Sequence, residues 1–560
     1  MEPHPTPDAT LKGQQDETNS VLEELTREYK EAKIWAAANA LPELTSFEIV
    51  TEWLNSVYTT PDRDITEGDS TPADSASITS TEYYGQESFR KYQPKLFKLL
   101  GGIVPPDINI TTVSRMKGGA NNRTASIGLD WPAGKRLKVN GKLLFEARNH
   151  DIEVVAVFRS SRRPVPGKHD AELIDNYAIL TFLVANGLRV PTVLAFDSTP
   201  NNSLCVPYML LHRIPGIRLE DAYPSLTQKQ KERVAMLIAR ELLIYDGVEC
   251  PKKGILKGAN YCIPASISFQ ENRPPTFKMT ITPFTTGRRR KLPINDRGST
   301  HLLMRGMFNN WLVLCATADD LPVDVRSIYN YCFGRLLDAL DIMHERGYFD
   351  QSTSEGIALY HPDFFPRNII IGASCRRPDN MTFEVEGVID WDGAMALPEV
   401  LRATPPSWLW EWMDEPQVTG IPLWEEWFGD SDELPASRFS YRLNPDERKI
   451  KEKFDQSVGK ERAHIMYKIE YTWIRRLWKF ALYGLPFESL QEVSRFQKFM
   501  ENWELFVQET AHNFESDDIK EWKPVDPEVF KTIQQYHGAA GAQSSRTPTP
   551  YPSPCIFDPE

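Results

Sequence analysis

Two stretches of the sequence decide its fold, HPDFFPRN at residues 361–368 and VIDWD at residues 388–392. Asp363 and Asn368 lie five positions apart in the first stretch, and Asp390 follows Asn368 by 22 positions. The β-branched and apolar residues after Asn368 and before Asp390 predict two short strands joined by a polar turn. We therefore expect the Asn to start one strand and Asp390 to end the other.

This spacing is the one used in kinase-type phosphoryl transfer. In that chemistry the first Asp, here Asp363, orients the attacking hydroxyl and receives its proton. The Asn and the second Asp, here Asn368 and Asp390, hold Mg²⁺ on the phosphates of ATP. The pattern therefore predicts Asp363 and Asn368 as catalytic residues, and Asn368 and Asp390 as metal ligands.

The two stretches resemble the aminoglycoside phosphotransferase (APH) family, especially its fungal members. The family writes its catalytic loop as His-Gly-Asp-(Leu/Phe)-His-Pro-Gly-Asn and its metal loop as Ile-Asp-Trp-(Glu/Asp). Four residues of the catalytic loop are kept: His361, Asp363, Pro366 and Asn368. Three differ, since Pro362, Phe365 and Arg367 replace Gly, His and Gly. The metal loop matches fully at residues 389–392.

The resemblance implies an α+β, bilobal protein-kinase-like fold with a small antiparallel-sheet lobe and a larger, mainly helical lobe. We place the nucleotide-binding lobe at 88–213 and the catalytic and substrate lobe at 214–537, with an insert at 251–299. An N-terminal extension with helices and a polar linker would occupy 1–87. A disordered tail with Thr-Pro and Ser-Pro pairs would occupy 538–560.

A kinase-like fold also needs groups that hold the nucleotide phosphates. The family's Gly-Gly-x-x-Asn turn is matched by Gly118, Gly119 and Asn122, where backbone N–H groups can approach phosphate. Arg159, at the end of an apolar strand pattern, takes the place of the usual Lys. The acid that would position it falls on Asp175, with Glu172 one turn earlier as the alternative.

Two further roles follow from the resemblance. The stretch VPYMLLHRIPG, residues 206–216, is similar to the family's adenine-binding crossing between the lobes. Leu211 would lie at the back of that pocket, and the backbone from His212 to Ile214 would bind the adenine edge. His361 would hold the catalytic loop by a hydrogen bond to backbone near Asp390.

Composition limits the partners. The net charge of −13 argues against nucleic acid and against an anionic membrane surface. No apolar run approaches the roughly 18 residues that span a bilayer. Seven cysteines with no Cys-x-x-Cys indicate neither a disulfide framework nor a zinc site. Residues 1–20 lack the pattern of a secretion signal or transit peptide, so we expect a cytoplasmic protein.

Three functions remain open on the sequence. The first is an ATP- and Mg²⁺-dependent phosphotransferase that acts on a hydroxyl of a small molecule. The second is a nucleotide-binding pseudoenzyme or scaffold, which Arg159 and the extensions favour. The third is a protein kinase, which the lack of an Ala-Pro-Glu segment after Asp390 disfavours. Acidic residues such as Asp392, Glu411 and Asp414 would suit a cationic acceptor, although the sequence does not identify it.

Overall fold

The computed structural model describes residues 87–116, 122–139, 142–148, 150–161, 170–259, 266–267, 269, 279–286, 292–294, 298–317, 323–349, 356–375, 381–412, 443–485 and 490–510. The predicted tail and all but the last residue of the predicted N-terminal extension lie outside these residues. The domain boundaries given above remain predictions.

Seventeen strands occur in the described residues. They are β1 (Asn109–Arg115), β2 (Asn122–Trp131), β3 (Arg136–Val139), β4 (Lys142–Glu146), β5 (Ile152–Ser161), β6 (Val193–Asp197), β7 (Tyr208–His212), β8 (Ile217–Arg218), β9 (Gly254–Gly258), β10 (Ser266–Ile267), β11 (Met279–Thr282), β12 (Thr285–Thr286), β13 (Leu292–Pro293), β14 (Ile357–Tyr360), β15 (Ile369–Cys375), β16 (Met381–Val388) and β17 (Met395–Pro398).

The α-helices of the described residues are α1 (Phe89–Ile103), α2 (Ala171–Ala185), α3 (Leu219–Ala222), α4 (Gln228–Asp246), α5 (Thr300–Ala316), α6 (Val323–Glu345), α7 (Glu399–Arg402), α8 (Pro445–Val458), α9 (Lys460–Tyr467), α10 (Ile469–Tyr483) and α11 (Leu490–Thr510). None of the described helices is both long and apolar enough to cross a membrane. The α+β class and the division into a sheet lobe and a helical lobe are confirmed.

The small lobe is built on an antiparallel sheet with the strand order β1-β2-β5-β7-β6-β10. In β5 every second residue is buried, including Ala156 and Phe158. Because side chains alternate between the two faces of a strand, Arg159 lies on the face opposite Phe158. The face that carries Phe158 belongs to a core shared with α1, so Arg159 points away from that core.

The large lobe packs long helices around the strands that carry the two motif loops. The buried stripe of α6 recurs every three or four residues, as the sequence pattern predicts, and includes Cys332, Leu336, Leu340 and Met343. Trp473 of α10 is fully buried in the same core. This packing fixes α6 beside the sheet that contains β14 and β17, and these two strands flank the catalytic and metal loops in the chain.

The predicted insert contributes two strands to a sheet of the large lobe and one strand to the sheet of the small lobe. β9 and β11 join β17 and β14 in a four-stranded sheet of the large lobe. β10 pairs with β6 of the small lobe, where Ser266 lies opposite Asp197. The sequence placed this segment in the large lobe alone. A strand at the edge of a sheet has unpaired backbone groups, and β10 satisfies those of β6.

A buried ionic cluster holds the start of α7, directly after β17. Asp246, at the end of α4, accepts hydrogen bonds from Arg402 and from Arg462, and Arg462 also donates to Glu399 over 2.7 Å. The two arginine side chains are 7% and 9% exposed. Their charges therefore depend on these carboxylates for compensation.

We expect Asp246→Ala to lower the free energy of unfolding by about 3–5 kcal/mol, because it removes the ion-pair partner of the buried Arg402 and one of the two partners of the buried Arg462. The matched control is Asp446→Ala, which removes an exposed partner of Lys449 and should cost less than about 1 kcal/mol. Urea unfolding of both variants measures the difference. Equal losses in the two variants would contradict the structural role of the cluster.

Candidate active site

The hairpin of β15 and β16 brings the two motif loops together. The amide of Ile389 donates to the carbonyl of Asn368 over 2.9 Å, at the open end of this hairpin. Asn368 ends a three-residue 3₁₀ turn immediately before β15, and Asp390 lies two residues after β16. Both residues thus flank the strands, whereas the sequence analysis placed them at the strand ends. The hairpin sets the catalytic loop and the metal loop side by side.

The imidazole of His361 joins these two loops. Its Nε2 donates to the carbonyl of Ile389 over 3.0 Å, and its Nδ1 accepts the backbone N–H of Asp363 over 3.0 Å. Because Nδ1 accepts, the ring is the neutral tautomer with its proton on Nε2. Burial is the largest cause of its lowered pKa, about 4. The backbone hydrogen bond expected for His361 is therefore present.

The side chain of Asn368 fixes the carboxylate of Asp363. Its Nδ2 donates to Asp363 Oδ2 over 2.6 Å and to the carbonyl of Asp363 over 2.9 Å. Asn368 is buried, whereas the Asp363 side chain is 32% exposed. The amide nitrogen of Asn368 is thus committed to the catalytic loop, and its Oδ1 accepts no hydrogen bond from a described residue.

Asp390 has a left-handed backbone conformation, with φ of 63°. Asp tolerates this conformation better than most residues, and such positions concentrate at functional sites. Asp390 is exposed to solvent, although enough protein surrounds its carboxylate for burial to affect its pKa. Burial first, and the negative charge of Asp392 second, raise the pKa of Asp390. A cation bound nearby would relieve this accumulation of negative charge.

Arg159 reaches across from the small lobe to the metal loop. Its two terminal nitrogens donate to the two carboxylate oxygens of Asp392, one of them over 3.2 Å. Burial alone would lower the pKa of Arg159, but the charges of Asp392 and Asp390 raise it above its ordinary value. The Arg159 side chain is 15% exposed and the Asp392 side chain is 39% exposed, so the arginine is the more enclosed partner of the pair.

The acid predicted to position Arg159 is engaged elsewhere. Asp175 accepts the amide of Gly258 over 2.9 Å and pairs with Lys257 over 3.3 Å, both in β9 of the insert. The expected pairing of Arg159 with Asp175 is therefore replaced by the pair with Asp392. The charge of Arg159 acts on Glu172, whereas it is not among the causes of the pKa shift of Asp175. Burial, Asp170 and Asp392 raise the pKa of Glu172 to about 7, while Arg159 acts in the opposite direction.

The chain crosses between the lobes at the predicted adenine stretch. Leu211 is buried in β7, and the amides of His212 and Arg213 donate to carbonyls of Thr192 and Val155 over 2.8 and 3.0 Å. The next amide, that of Ile214, donates to no described residue. Burial lowers the pKa of His212 to about 4, so its ring is neutral near pH 7.

The predicted glycine turn is described only in part. Gly118 and Gly119 lie outside the described residues. Asn122 begins β2 opposite Ser161, at the end of β5 that also carries Arg159. The start of β2 therefore lies at the end of the small-lobe sheet that carries Arg159.

Arg367 is the main site residue that the sequence reasoning did not assign. Its guanidinium donates to Asp363 Oδ1 over 2.7 Å, so it binds the predicted catalytic carboxylate directly. The sequence signal was the replacement of a family glycine by arginine. Asp170 was also missed. It caps α2 by accepting the amide of Leu173, and it lies within electrostatic reach of Arg159.

The acidic residues suggested for a cationic acceptor do not form one cluster on the described residues. Asp392 is engaged by Arg159. The pKa of Glu411 is raised to about 7 by burial and by the charge of Glu447, a residue of α8. Asp414 lies outside the described residues. Asp392 is therefore already paired with Arg159, which weakens the suggestion that it binds a cationic acceptor.

Comparison with known proteins gives a family for the central part of the chain. Residues 154–398 match the model of APH, the phosphotransferase enzyme family. No curated protein matches the sequence significantly. This matched segment runs from β5, which carries Arg159, to the end of β17, after the metal loop.

Two solved structures illustrate what the chain is similar to. The GDP and kanamycin complex of APH(2")-IIia is 15% identical, with 75% of this chain and 99% of that chain covered and a TM-score of 0.32. The gentamicin complex of APH(2")-IIa is 12% identical, with 73% and 97% covered and a TM-score of 0.32. At such scores neither structure carries an argument about this chain. The similarity rests on the family match over the motif loops, where residues 154–398 match the APH phosphotransferase family.

Proposed function

We propose that this protein transfers the γ-phosphoryl group of ATP, with Mg²⁺, to a hydroxyl group of a small molecule. One observation carries the proposal. The hairpin and the His361 hydrogen bonds assemble Asp363, Asn368 and Asp390 at one edge of the cleft, with Arg159 facing them from the small lobe. These are the groups that kinase-type transfer needs for the acceptor, the metal and the phosphates.

The residues present fit a magnesium ion. Mg²⁺ takes oxygen ligands and is bound by one or two carboxylates together with substrate phosphates. Asp390 offers a carboxylate whose pKa is raised by burial first and by the negative charge of Asp392 second. Asn368 offers Oδ1, since its nitrogen is held by Asp363. Within the described residues no group of three or more His, Cys, Asp or Glu forms a metal site. When bound, Mg²⁺ neutralises charge on the β- and γ-phosphate oxygens.

The protein's own groups would perform three tasks. Asp363 orients the acceptor hydroxyl and receives its proton. Arg159 binds phosphate through its planar fork, in competition with Asp392. The Ile214 amide is available to the adenine edge, because the two amides before it are already bonded within the protein. We also propose a cytoplasmic location, since the seven cysteines of the sequence include no Cys-x-x-Cys pair and do not indicate a disulfide framework.

Two variants separate the metal role from the catalytic role. Asp390→Ala should abolish the Mg²⁺-dependent part of ATP stabilisation while the protein stays folded. Asp363→Asn should keep ATP affinity nearly intact and reduce turnover on an identified acceptor by about 10²–10⁴-fold. Thermal shift with ATP and Mg²⁺, followed by ATP consumption across a panel of hydroxyl metabolites, measures both effects. Unchanged Mg²⁺ dependence in Asp390→Ala, or full turnover in Asp363→Asn, would refute the assignment.

Arg159 and Asp392 should respond in opposite directions. Arg159→Ala removes a phosphate ligand and should weaken Mg·ATP binding about 10- to 100-fold, with part of the affinity kept in Arg159→Lys. Asp392→Asn frees Arg159 and should leave binding equal or tighter. Isothermal titration with a non-hydrolysable ATP analogue gives the constants. If both substitutions weaken binding equally, Arg159 serves the ion pair and not the nucleotide.

The neutral His361 ring predicts a pH dependence of stability. Its pKa is about 4 in the folded protein and 6.5 as the ordinary value, so the unfolded chain binds this proton first as pH falls. The stability it contributes is therefore present above pH 6.5 and is lost between pH 6.5 and 4. The fall in melting temperature over this range should be smaller in His361→Gln than in the native protein. His464→Gln, at an exposed position, is the control and should show the native slope.

A further inference from the structure

Arg367, in the catalytic loop, interacts with two predicted functional carboxylates, those of Asp363 and Asp390. It lies in the 3₁₀ turn directly before Asn368, where the resembled family has Gly. Its guanidinium donates to Asp363 Oδ1 over 2.7 Å. The same positive charge acts on Asp390 and lowers its pKa, against the larger effect of burial. Arg367 therefore contacts the acceptor-binding carboxylate and lies within electrostatic reach of the metal-binding carboxylate.

The contact between Arg367 and Asp363 is one that can exchange. Both side chains are about one third exposed, at 33% and 32%, so solvent screens the pair and its net strength is modest. The guanidinium also lies 5.1 Å from the centre of the Phe365 ring, and this cation–π contact stabilises its positive charge. The structural pair of Arg402 and Asp246 is more enclosed, with side chains that are 7% and 21% exposed.

The negative charges expected in the cleft outnumber the positive charge of Arg159, which indicates a role for a second cationic side chain. Asp363, Asp390 and Asp392 bring three carboxylates to this edge, and a nucleoside triphosphate brings several more negative charges. Arg159 is already engaged by both oxygens of Asp392. In phosphoryl transfer, an arginine that contacts the transferring group stabilises the charge spread over its equatorial oxygens.

We propose that Arg367 is a catalytic residue that binds the γ-phosphoryl group of the nucleotide, exchanging Asp363 Oδ1 for a phosphate oxygen. The inference rests on the phosphotransferase function proposed above. In the transfer, a bond forms between the acceptor oxygen and the γ-phosphorus, and the bond to the bridging oxygen breaks with its electron pair left on ADP. The hydroxyl proton passes to Asp363. Arg367 keeps all its protons throughout.

This exchange also couples the nucleotide to the base. While Arg367 holds Asp363, one carboxylate oxygen is occupied by the guanidinium and the other by Asn368. A γ-phosphate that takes the guanidinium frees Oδ1 for the acceptor hydroxyl. ADP lacks this group, so with ADP bound the carboxylate stays covered by Arg367.

The test compares two nucleotides on the full chain by isothermal titration in Mg²⁺. Arg367→Gln should weaken binding of a non-hydrolysable ATP analogue about 10- to 100-fold, because a charge-assisted hydrogen bond to the γ-phosphate is lost. Binding of ADP should change less than about twofold, in line with a contact absent from ADP. Arg136→Gln, which alters an exposed pair with Glu146 on the β3–β4 hairpin, is the control and should leave both constants unchanged.

A second comparison excludes an indirect effect through Asp363. If Arg367 only neutralised that carboxylate, Asp363→Asn would restore analogue binding in the Arg367→Gln background. We expect the loss to persist in the double variant. Restoration, an equal loss for analogue and ADP, or no loss in Arg367→Gln would overturn the role of Arg367 alone. A native protein that binds neither nucleotide would overturn the proposed function and this inference together.

Discussion

The active-site geometry depends on one neutral imidazole. His361 accepts a hydrogen bond from the catalytic loop at Nδ1 and donates one to the metal loop at Nε2, so both loops are placed by a single rigid ring. A protonated ring has two donors and would face the Asp363 amide with an N–H. Burial keeps the ring neutral, and Trp391, with its ring centre 4.5 Å away, forms part of the enclosure. The packing of this region thus sets the protonation state that the loops require.

A second constraint acts between the lobes. Arg159 comes from the small-lobe sheet and Asp392 from the metal loop, and their bidentate pairing fixes the distance across the cleft. Arg189 adds a contact at the back of the cleft, where its carbonyl accepts the amide of Val388 over 3.0 Å. Gly387 lies next to this contact, and a Cβ there would meet the Arg189 carbonyl oxygen at 2.7 Å. The close approach of the lobes at this point therefore requires a glycine.

The parts of the fold and site that the sequence could predict are those set by local pattern. The hairpin, the order of the motif residues and the stripe of α6 follow from strand and helix periods. The partner of Arg159 does not, because it is 233 positions away and depends on how the lobes meet. Glu172 and Asp175 are three positions apart on one helix, so a helical pattern gives both a similar direction. Only the position of β9, which binds Asp175, distinguishes them.

Arg367 shows a different limit. A substitution at a family glycine is visible in the sequence, but its meaning depends on where the longer side chain goes. The 3₁₀ turn directs it back onto Asp363, four positions earlier. A sequence comparison alone would record this position as a departure from the pattern, whereas the structure gives it a place in the charge balance of the cleft.

The segment that contributes β9, β10 and β11 has a mechanical consequence. These strands follow one another in the chain, and the middle one belongs to the small-lobe sheet while the outer two belong to the large lobe. Judged by the described strands, the chain changes lobe three times, once after β7, once between β9 and β10, and once between β10 and β11. A single connecting segment would act as a hinge and allow one lobe to rotate relative to the other. Three changes of lobe at separate points restrict that rotation, so we expect the two lobes to move relative to each other only by small sliding displacements.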